Sequence, residues 1–182
     1  ASLLLVFFLC LVIPIDSFFP KRSPVSSSLE QVRFLFPVNG SYEMSGPYGA
    51  KDWKPEGDIQ AEIALSSTDA YHGRRFLKIK PQKRAVGKIE IVCEKNVATT
   101  PGQGYRFSLM ARGKGDGVIG LQAISSEEGH LSSRYEPLCA EWKEISLSFE
   151  APSSSIRFSL LFGGKFEQAG CDYLRLFPLE RG

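Results

Sequence analysis

Two histidines, His72 and His130, are the side chains best suited to acid–base chemistry near neutral pH. A hydrolase needs a pair of placed carboxylates, or a nucleophile beside a base, and neither histidine belongs to such a motif. His72 lies in the turn Tyr71-His72-Gly73, where a hydrogen bond to the turn is the ordinary interpretation. The sequence also has no phosphate-binding GxxxxGK loop and no HExxH helix. It therefore predicts a protein that does not catalyse a reaction.

The most basic segment of the chain is a second candidate for chemistry. Lys and Arg number 22 and Asp and Glu number 20, so the net charge gives no general attraction for nucleic acid. Strand alternation would place Lys78 and Lys80 opposite Leu77 as ordinary solvated lysines, which is the arrangement we expect. The alternative is a basic strip that binds an anionic polysaccharide, lipid head groups or nucleic acid. Its members would be Arg74, Arg75, Lys78, Lys80, Lys83, Arg84 and Lys88.

Cysteine spacing indicates no metal site. Cys93, Cys139 and Cys171 follow Cys10 of the apolar N-terminal segment, and none stands in a CxxC pair of the kind that zinc sites use. Three cysteines in the globular part permit at most one disulfide, and the sequence does not say whether one forms. Cys93 shares a strand face with Ile89, so we expect it to be a small buried apolar side chain.

Strands must position these residues. Beyond residue 37, apolar side chains recur at every second position between turn signals, and no long stretch has the 3.6-residue period of a helix. This pattern predicts an all-β domain of two packed antiparallel sheets, a jelly roll or related sandwich. Gly113 to Gly117 is expected to be a loop between two strands, and Gly163-Gly164 to end another. The predicted strands lie within 59–65, 76–79, 89–97, 105–111, 118–124, 145–149, 156–162 and 173–177.

The N-terminal segment differs from the rest of the chain. Residues 1–15 are apolar apart from Ser2, which fits a hydrophobic helix that anchors the protein in a membrane, or the apolar part of a signal peptide. An anchor is favoured, because no convincing cleavage site follows. By the positive-inside rule, Lys21 and Arg22 would then place the domain in the cytoplasm. This conflicts with the location that we predict, which is extracytoplasmic in a membrane-anchored or secreted protein. The predicted organisation is an anchor or signal-like segment at 1–20, a linker at 21–37 and a β-sandwich domain at 38–182.

Six short motifs follow one another beyond residue 37. They are Asn39 to Glu43, Trp53, Tyr71 to Ile79, Thr100 to Ser108, Glu141 to Ile145 and Cys171 to Leu176. Each alone is a common turn or strand, but their order resembles the galactose-binding-like carbohydrate-binding modules of the family 4, 9 and 22 type, which are found beside xylanases and cellulases. The chain departs from that family at Tyr42, where Phe is usual, and at Tyr173, where a second acidic residue is usual.

The resemblance implies a jelly-roll fold and, as in many family members, a structural Ca²⁺. The positions that match the family's metal ligands are Glu43, the turn around Gly73, and Asp172 in the closing strand. Calcium takes about six to eight oxygen ligands. An ion that joined the first and last strands would stabilise the folded state. The alternative is that Glu43 and Asp172 are surface or capping residues.

The resemblance also implies a glycan ligand, which needs exposed aromatic rings beside polar groups. Tyr135 is the first choice, because Arg134 and Glu136 flank it in a polar segment that feeds the concave face in the family. We therefore expect Tyr135 to stack on a sugar ring while Arg134 or Glu136 hydrogen-bonds the sugar hydroxyls. Trp53, in a loop-like stretch, or Tyr71 would line the rim.

Trp142 opens a strand where the family usually has a core tryptophan, so we expect it to be buried. The predicted function is non-catalytic binding of carbohydrate by a tethered or secreted β-sandwich. The alternative is a structural or protein-interaction domain of a larger membrane protein. A membrane partner is expected through residues 1–15, and no nucleic acid partner is expected.

Overall fold

The computed structural model describes residues 39–57, 61–82 and 88–180. Over these ranges every regular element is a β-strand, as predicted, and they include no helix long and apolar enough to cross a membrane. The predicted anchor at 1–20 and linker at 21–37 lie outside the described residues and stay predictions. The strands are β1 (Ser45–Gly46), β2 (Gly49–Ala50), β3 (Trp53–Glu56), β4 (Ala61–Ser66), β5 (Phe76–Pro81), β6 (Ile89–Cys93), β7 (Val97–Ala98), β8 (Gly104–Ser125), β9 (Gly129–Pro137), β10 (Lys143–Glu150) and β11 (Ser155–Pro178).

Two long antiparallel strands, β8 and β11, organise the sheet. Their ladder runs from Tyr105 opposite Pro178 to Ser125 opposite Ile156. The start of β8 also pairs with β10 and its end with β9. The start of β11 pairs with β7 and β6, and its end pairs with β5. β4 pairs with β5 and β3 with β6, while β1 and β2 form a separate hairpin.

The two ends of this sheet fold over each other. The first half-sheet consists of β4, β5, β10, the start of β8 and the end of β11. The second consists of β3, β6, β7, β9, the end of β8 and the start of β11. The ring of Phe158 in the second half-sheet lies 4.6 Å from that of Phe107 and 5.8 Å from that of Phe149, both in the first. The half-sheets therefore face each other across a shared core, as in a β-sandwich.

Glycines let the two long strands bend without leaving the ladder. Residues 113–117 and 163–164 stay paired within β8 and β11, so the predictions of a loop at Gly113 to Gly117 and of a strand end at Gly163-Gly164 are wrong. Gly115 has a φ of 110° and Gly164 a φ of 77°. A Cβ on either would lie 2.8 Å from a backbone oxygen of the facing strand. Glycine permits both the positive φ and this close approach.

Alternation along the strands fills the core largely as predicted. Leu77 and Ile79 of β5 are fully buried, whereas Lys80 on the opposite face is exposed. Cys93 is buried, which confirms its prediction as a core residue. Ser108, on the opposite face of β8 from the core residues Phe107 and Leu109, is also fully buried. It lies between β10 and β11, so side chains of both neighbouring strands cover it.

The start of the described chain is tied to its end. Tyr42 is buried in the core, where its hydroxyl lies 3.5 Å from the Sγ of Cys171. The backbone N–H of Leu174 donates to the carbonyl of Gly40 at 2.8 Å.

Cys93, Cys139 and Cys171 are free thiols in the described part of the chain. Burial raises the pKa of Cys93 to about 11 and that of Cys171 to about 12.

Candidate functional site

Tyr135 lies on the edge strand β9 and presents an exposed ring on the outer face of the second half-sheet. Its side chain is 52% exposed. Gly120 stands opposite it on β8, and a Cβ built on Gly120 would lie 2.7 Å from two carbons of the Tyr135 ring. The ring therefore rests against the bare backbone of β8, in a position that a side chain at 120 would block.

Polar side chains continue this outer face next to the ring. Gln122, two residues along β8 from Gly120, is paired with Ser133 of β9 and Ser159 of β11. The hydroxyl of Ser159 donates to the Oε1 of Gln122 at 3.1 Å, which fixes the amide. Ser159 itself is fully buried, so the face offers the Tyr135 ring beside the partly exposed side chains of Gln122 and Ser133.

Arg134 and Glu136 do not accompany Tyr135, contrary to prediction. They pair with Leu121 and Ile119, which point into the core, so alternation turns them away from the outer face. Arg134 instead donates to Glu136 at 2.9 and 2.6 Å, and Lys143 lies 3.6 Å from the same carboxylate. The hydrogen bond from Arg134 is the main cause that lowers the pKa of Glu136. These two residues therefore form an edge ion pair on the other side of β9.

Trp53 does not lie at an exposed rim, so that prediction is wrong. It is the first residue of β3 and pairs with Cys93. Its side chain is only 1% exposed, and its ring packs 5.9 Å from that of Tyr42. A sugar ring cannot reach it without opening the core.

Tyr71 is exposed, as a rim residue should be, but it belongs to a different surface. Its ring packs edge-on against Trp142 at 6.1 Å and tilted against Tyr173 at 5.9 Å. Trp142 in turn meets Phe76 edge-on at 5.5 Å. Trp142 is only partly buried and lies on the outer face of the first half-sheet, so its prediction as a core residue is wrong. This aromatic cluster lies on the half-sheet that does not carry Tyr135.

Two arginines missed by the sequence analysis support that cluster. The guanidinium of Arg112 lies 4.5 Å from the Trp142 ring and 5.0 Å from the Phe76 ring. Arg175 lies 4.8 Å from the Tyr173 ring and bonds the carboxylate of Glu144 at 2.6 Å. Strand alternation could have indicated both arginines, because each occupies an outward position between residues that are buried or partly buried.

Glu43 reaches the loop around Gly73. Its Oε1 accepts the backbone N–H groups of Arg74 at 2.6 Å and Arg75 at 3.1 Å. Gly73 has a φ of 67°, and a Cβ there would lie 2.2 Å from the same oxygen. Glycine adopts this φ without strain and leaves room for the carboxylate in its present position.

Asp172 approaches the same loop from β11. It is fully buried, and its carboxylate accepts the backbone N–H groups of His72 at 2.8 Å and of Tyr173 at 2.7 Å. Burial is the main cause that raises the pKa of Asp172 to about 6, and the charge of Glu43 adds to the shift. The imidazole of His72 stacks on the Tyr173 ring at 4.4 Å, and burial lowers its pKa.

The two carboxylates supply the oxygen chemistry that calcium prefers, and they repel each other across one loop. Among the described residues, no three His, Cys, Asp or Glu side chains group closely enough to hold a metal ion. Any further ligands would have to be backbone carbonyls of the loop around Gly73 or water. The residues present therefore fit calcium only as two carboxylates completed by such oxygens.

The predicted basic strip is dispersed. Lys78 and Lys80 point outward from β5, as expected for solvated lysines. Lys88 lies 3.0 Å from Glu90 on the second half-sheet, and Arg75 donates to the carbonyl of Glu43. Lys83 and Arg84 lie outside the described residues.

The sequence matches no protein-family model and no curated protein. The fold is similar to that of solved carbohydrate-binding modules. The TmCBM61 module in complex with β-1,4-galactotriose has a TM-score of 0.61 and 18% identity, over 81% of this chain and 99% of the module. A CBM4 module has a TM-score of 0.59 and 14% identity, over 78% of this chain and 98% of that one. The chain has the jelly-roll fold of these modules. The CBM22-1 xylan-binding domain of Paenibacillus barcinonensis Xyn10C agrees, with a TM-score of 0.57 and 11% identity over 79% of this chain and 94% of that domain.

Larger chains contain the same jelly roll as one part. An arabinose-bound α-L-arabinofuranosidase, MgGH51, has a TM-score of 0.61 and 17% identity, over 80% of this chain but 26% of the enzyme chain. The enzymatically active domain of tailspike protein 4 of bacteriophage CBA120 has a TM-score of 0.61 and 10% identity, over 80% of this chain and 22% of that one. The chain therefore spans about a quarter of each of these larger chains.

Proposed function

We propose that the chain binds a glycan, without catalysis, on the outer face of the second half-sheet. The observation that carries this proposal is the exposed ring of Tyr135, which rests on the backbone at Gly120. The apolar C–H face of a sugar can stack on such a ring. Because the ring is already in place, little side-chain freedom is lost when the sugar binds.

The polar groups beside the ring would give the site its selectivity. The amide of Gln122 is oriented by Ser159, and Ser133 lies opposite it on the edge strand. Sugar hydroxyls need a few such convergent donors and acceptors. This pairing of Tyr135 with Gln122 replaces the predicted pairing with Arg134 and Glu136.

The absence of catalysis is part of the proposal. It is supported by the structural match to three carbohydrate-binding modules over nearly their whole length, 94–99% of each module. It is also supported by the hydrogen bonds of Asp172, whose carboxylate accepts the backbone N–H groups of His72 and Tyr173 within the fold. A binding module needs neither a nucleophile nor a general base.

We also propose that Ca²⁺ bridges Glu43 and Asp172 at the loop around Gly73. The two carboxylates meet the same short loop, although they lie near opposite ends of the described sequence. A bound cation would relieve their mutual repulsion and add to the contacts that tie the first described residues to β11.

The extracytoplasmic location remains a proposal as well, with residues 1–20 as the anchor or export signal. Treating intact cells with protease tests it. Digestion of the domain in intact cells would support the proposal, and digestion only after lysis would place the domain in the cytoplasm, as Lys21 and Arg22 suggest.

A glycan array with the full chain tests the function, followed by titration of the best ligand. We expect Tyr135→Ala to lose about 1–3 kcal/mol, by analogy with stacking of bases on aromatic rings, or roughly tenfold or more in affinity. Tyr48→Ala is a matched control, because Tyr48 is 53% exposed but lies in the turn between β1 and β2. Equal affinities of wild type and Tyr135→Ala would move the site elsewhere. A folded chain that binds no glycan would favour a structural or protein-interaction domain instead.

A further inference from the structure

A cavity of about 340 Å³ opens on the outer face of the first half-sheet. We call it the basic pocket and define it by Phe76, Lys78, Arg112, Lys114, Gln168 and Gly170. Its volume lies in the range of small-ligand sites. It shares no residue with the face around Tyr135, which belongs to the other half-sheet.

The floor of the pocket is preformed. A Cβ on Gly170 would lie 2.7 and 2.9 Å from two carbons of the Phe76 ring, so that ring lies against the bare backbone of β11. Arg112 stands opposite Gly170 on β8. Its guanidinium lies close to both the Phe76 and Trp142 rings, which hold it beside the cavity.

The charges that line the pocket have one sign. Lys78, Arg112 and Lys114 line it, and no acidic side chain does so in the described part of the chain. Arg112 pairs with Asp69, and Lys114 pairs with Glu167 at 2.8 Å. Both carboxylates are outside the lining and are highly exposed, at 73% for Asp69 and 67% for Glu167. The Lys114–Glu167 pair is exposed on both sides and therefore weak in water, whereas the side chain of Arg112 is only 22% exposed and its partner Asp69 is the solvated member of that pair. A ligand carboxylate that enters the pocket can therefore take the place of either exposed carboxylate.

Lys78 is the cation most available to a ligand. Among the residues described by the structure, no carboxylate lies within ion-pair distance of it. It projects from the middle of β5 beside Gly170, its partner across the ladder. Gln168 and the hydroxyls of Ser66 and Thr68 add neutral hydrogen-bonding groups to the same cavity.

We propose that the basic pocket is a second binding site, which takes the carboxylate of an acidic sugar such as a uronic acid residue. This inference rests on the proposed glycan-binding function and adds a ligand class to it. Arg112 and Lys78 hold the carboxylate by charge-assisted hydrogen bonds. Gln168, Ser66 and Thr68 hydrogen-bond the ring hydroxyls.

Calorimetric titration of the full chain with glucuronate, glucose and acetate tests the pocket. Glucuronate and glucose differ in the carboxylate, and acetate supplies a carboxylate without a sugar ring. We expect glucuronate to bind at least about tenfold more tightly than either of the others, because both the charge and the hydroxyls contribute. Lys78→Gln should weaken glucuronate binding by about the same factor. Lys80→Gln is the matched control, since Lys80 lies on the same face of β5 outside the basic pocket.

The variants separate this proposal from the site at Tyr135. Glucuronate binding that survives Tyr135→Ala and weakens in Lys78→Gln supports the basic pocket. If Tyr135→Ala abolishes glucuronate binding and Lys78→Gln leaves it unchanged, the basic pocket is not the site and glucuronate binds at the face around Tyr135 instead. If Lys78→Gln and Lys80→Gln weaken glucuronate binding equally, the loss reflects general surface charge, and this result also contradicts the proposed pocket. Binding of acetate as tight as that of glucuronate, or no binding of glucuronate, also contradicts the proposal.

Discussion

At the scale of single residues, the position of the Tyr135 ring depends on the absence of a side chain at 120. In Gly120→Ala the new methyl group would overlap the ring and press on Leu161, whose Cβ would be 3.2 Å away. We expect the ring to be displaced and glycan affinity to fall about tenfold, as for loss of one stacked ring. Titration with the glycan found on the array measures this.

Gly163→Ala is the control for that experiment. Gly163 lies on the same outer face, but a Cβ there makes only an ordinary contact of 3.5 Å with Val118. Affinity should be unchanged in this variant. A fall in affinity as large as that of Gly120→Ala would show that the Tyr135 platform is not what the methyl group disturbs.

Asp172 should make stability depend on pH. Its pKa is raised from 3.8 to about 6 in the folded protein, so between about pH 4 and pH 6 the folded state binds more protons than the unfolded state. The free energy of unfolding should therefore fall as pH rises through this range, by about 2–3 kcal/mol. Urea unfolding with chelator present, compared between wild type and Asp172→Asn, isolates this contribution.

The contribution of Asp172 is the difference in pH dependence between wild type and Asp172→Asn, because other carboxylates titrate in the same pH range. Glu136, for example, has a lowered pKa and so contributes with the opposite sign. If wild type and Asp172→Asn show parallel pH dependence, Asp172 has an ordinary pKa in the folded chain.

At the scale of the strand, alternation predicted which side chains face the core but not how far a strand runs. Gly113 to Gly117 and Gly163-Gly164 have the composition of turns, and nothing local distinguishes a turn from a bend within a continuous ladder. The distinction depends on pairing between β8 and β11, which are far apart in the sequence. Long-range pairing is the information that the sequence pattern lacks.

Reasoning from local sequence also explains why the predicted glycan-binding residues lie on two different faces in the structure. Tyr135, Arg134 and Glu136 are neighbours in sequence, and a composition argument grouped them, although strand alternation separates Tyr135 from the other two. The predictions of an exposed Trp53 and a buried Trp142 were both wrong for a different reason. Burial of a ring depends on what the opposite strand places over it, and the sequence around each tryptophan does not reveal that.

The glycine bend in β8 should be intolerant of any side chain. Gly115→Ala would force a residue with a Cβ into a φ of 110° and 2.8 Å from the carbonyl oxygen of Lys165. We expect it to lower the free energy of unfolding by about 1–3 kcal/mol, the usual cost of such strain. Urea denaturation measures the loss, with Gly163→Ala as a control at a neighbouring glycine of ordinary φ. Equal stability of the two variants would contradict the strain.

At the scale of the whole molecule, the proposed calcium ion would link the loop at 71–75 to both ends of the described chain. Millimolar calcium should then raise Tm relative to chelator, because an ion that binds only the folded state adds about 2.7 kcal/mol at a hundredfold excess over Kd. Glu43→Gln and Asp172→Asn should lose this dependence, whereas Glu167→Gln, a control on the surface, should keep it. If the Tm of the wild type is the same in calcium and in chelator, no calcium ion is bound there. Both carboxylates would then act only as acceptors of backbone N–H hydrogen bonds.

The continuous ladder of β8 and β11 has a consequence for how the molecule opens. Each half-sheet takes its central pair of strands from these two segments, so neither half can peel away while the other keeps all its backbone bonds. Amide hydrogens in the middle of both half-sheets should exchange with solvent at one common rate, set by global unfolding, while those of the β1 and β2 hairpin exchange earlier. A pulling force on the face around Tyr135 is therefore opposed by the backbone hydrogen bonds of the entire domain.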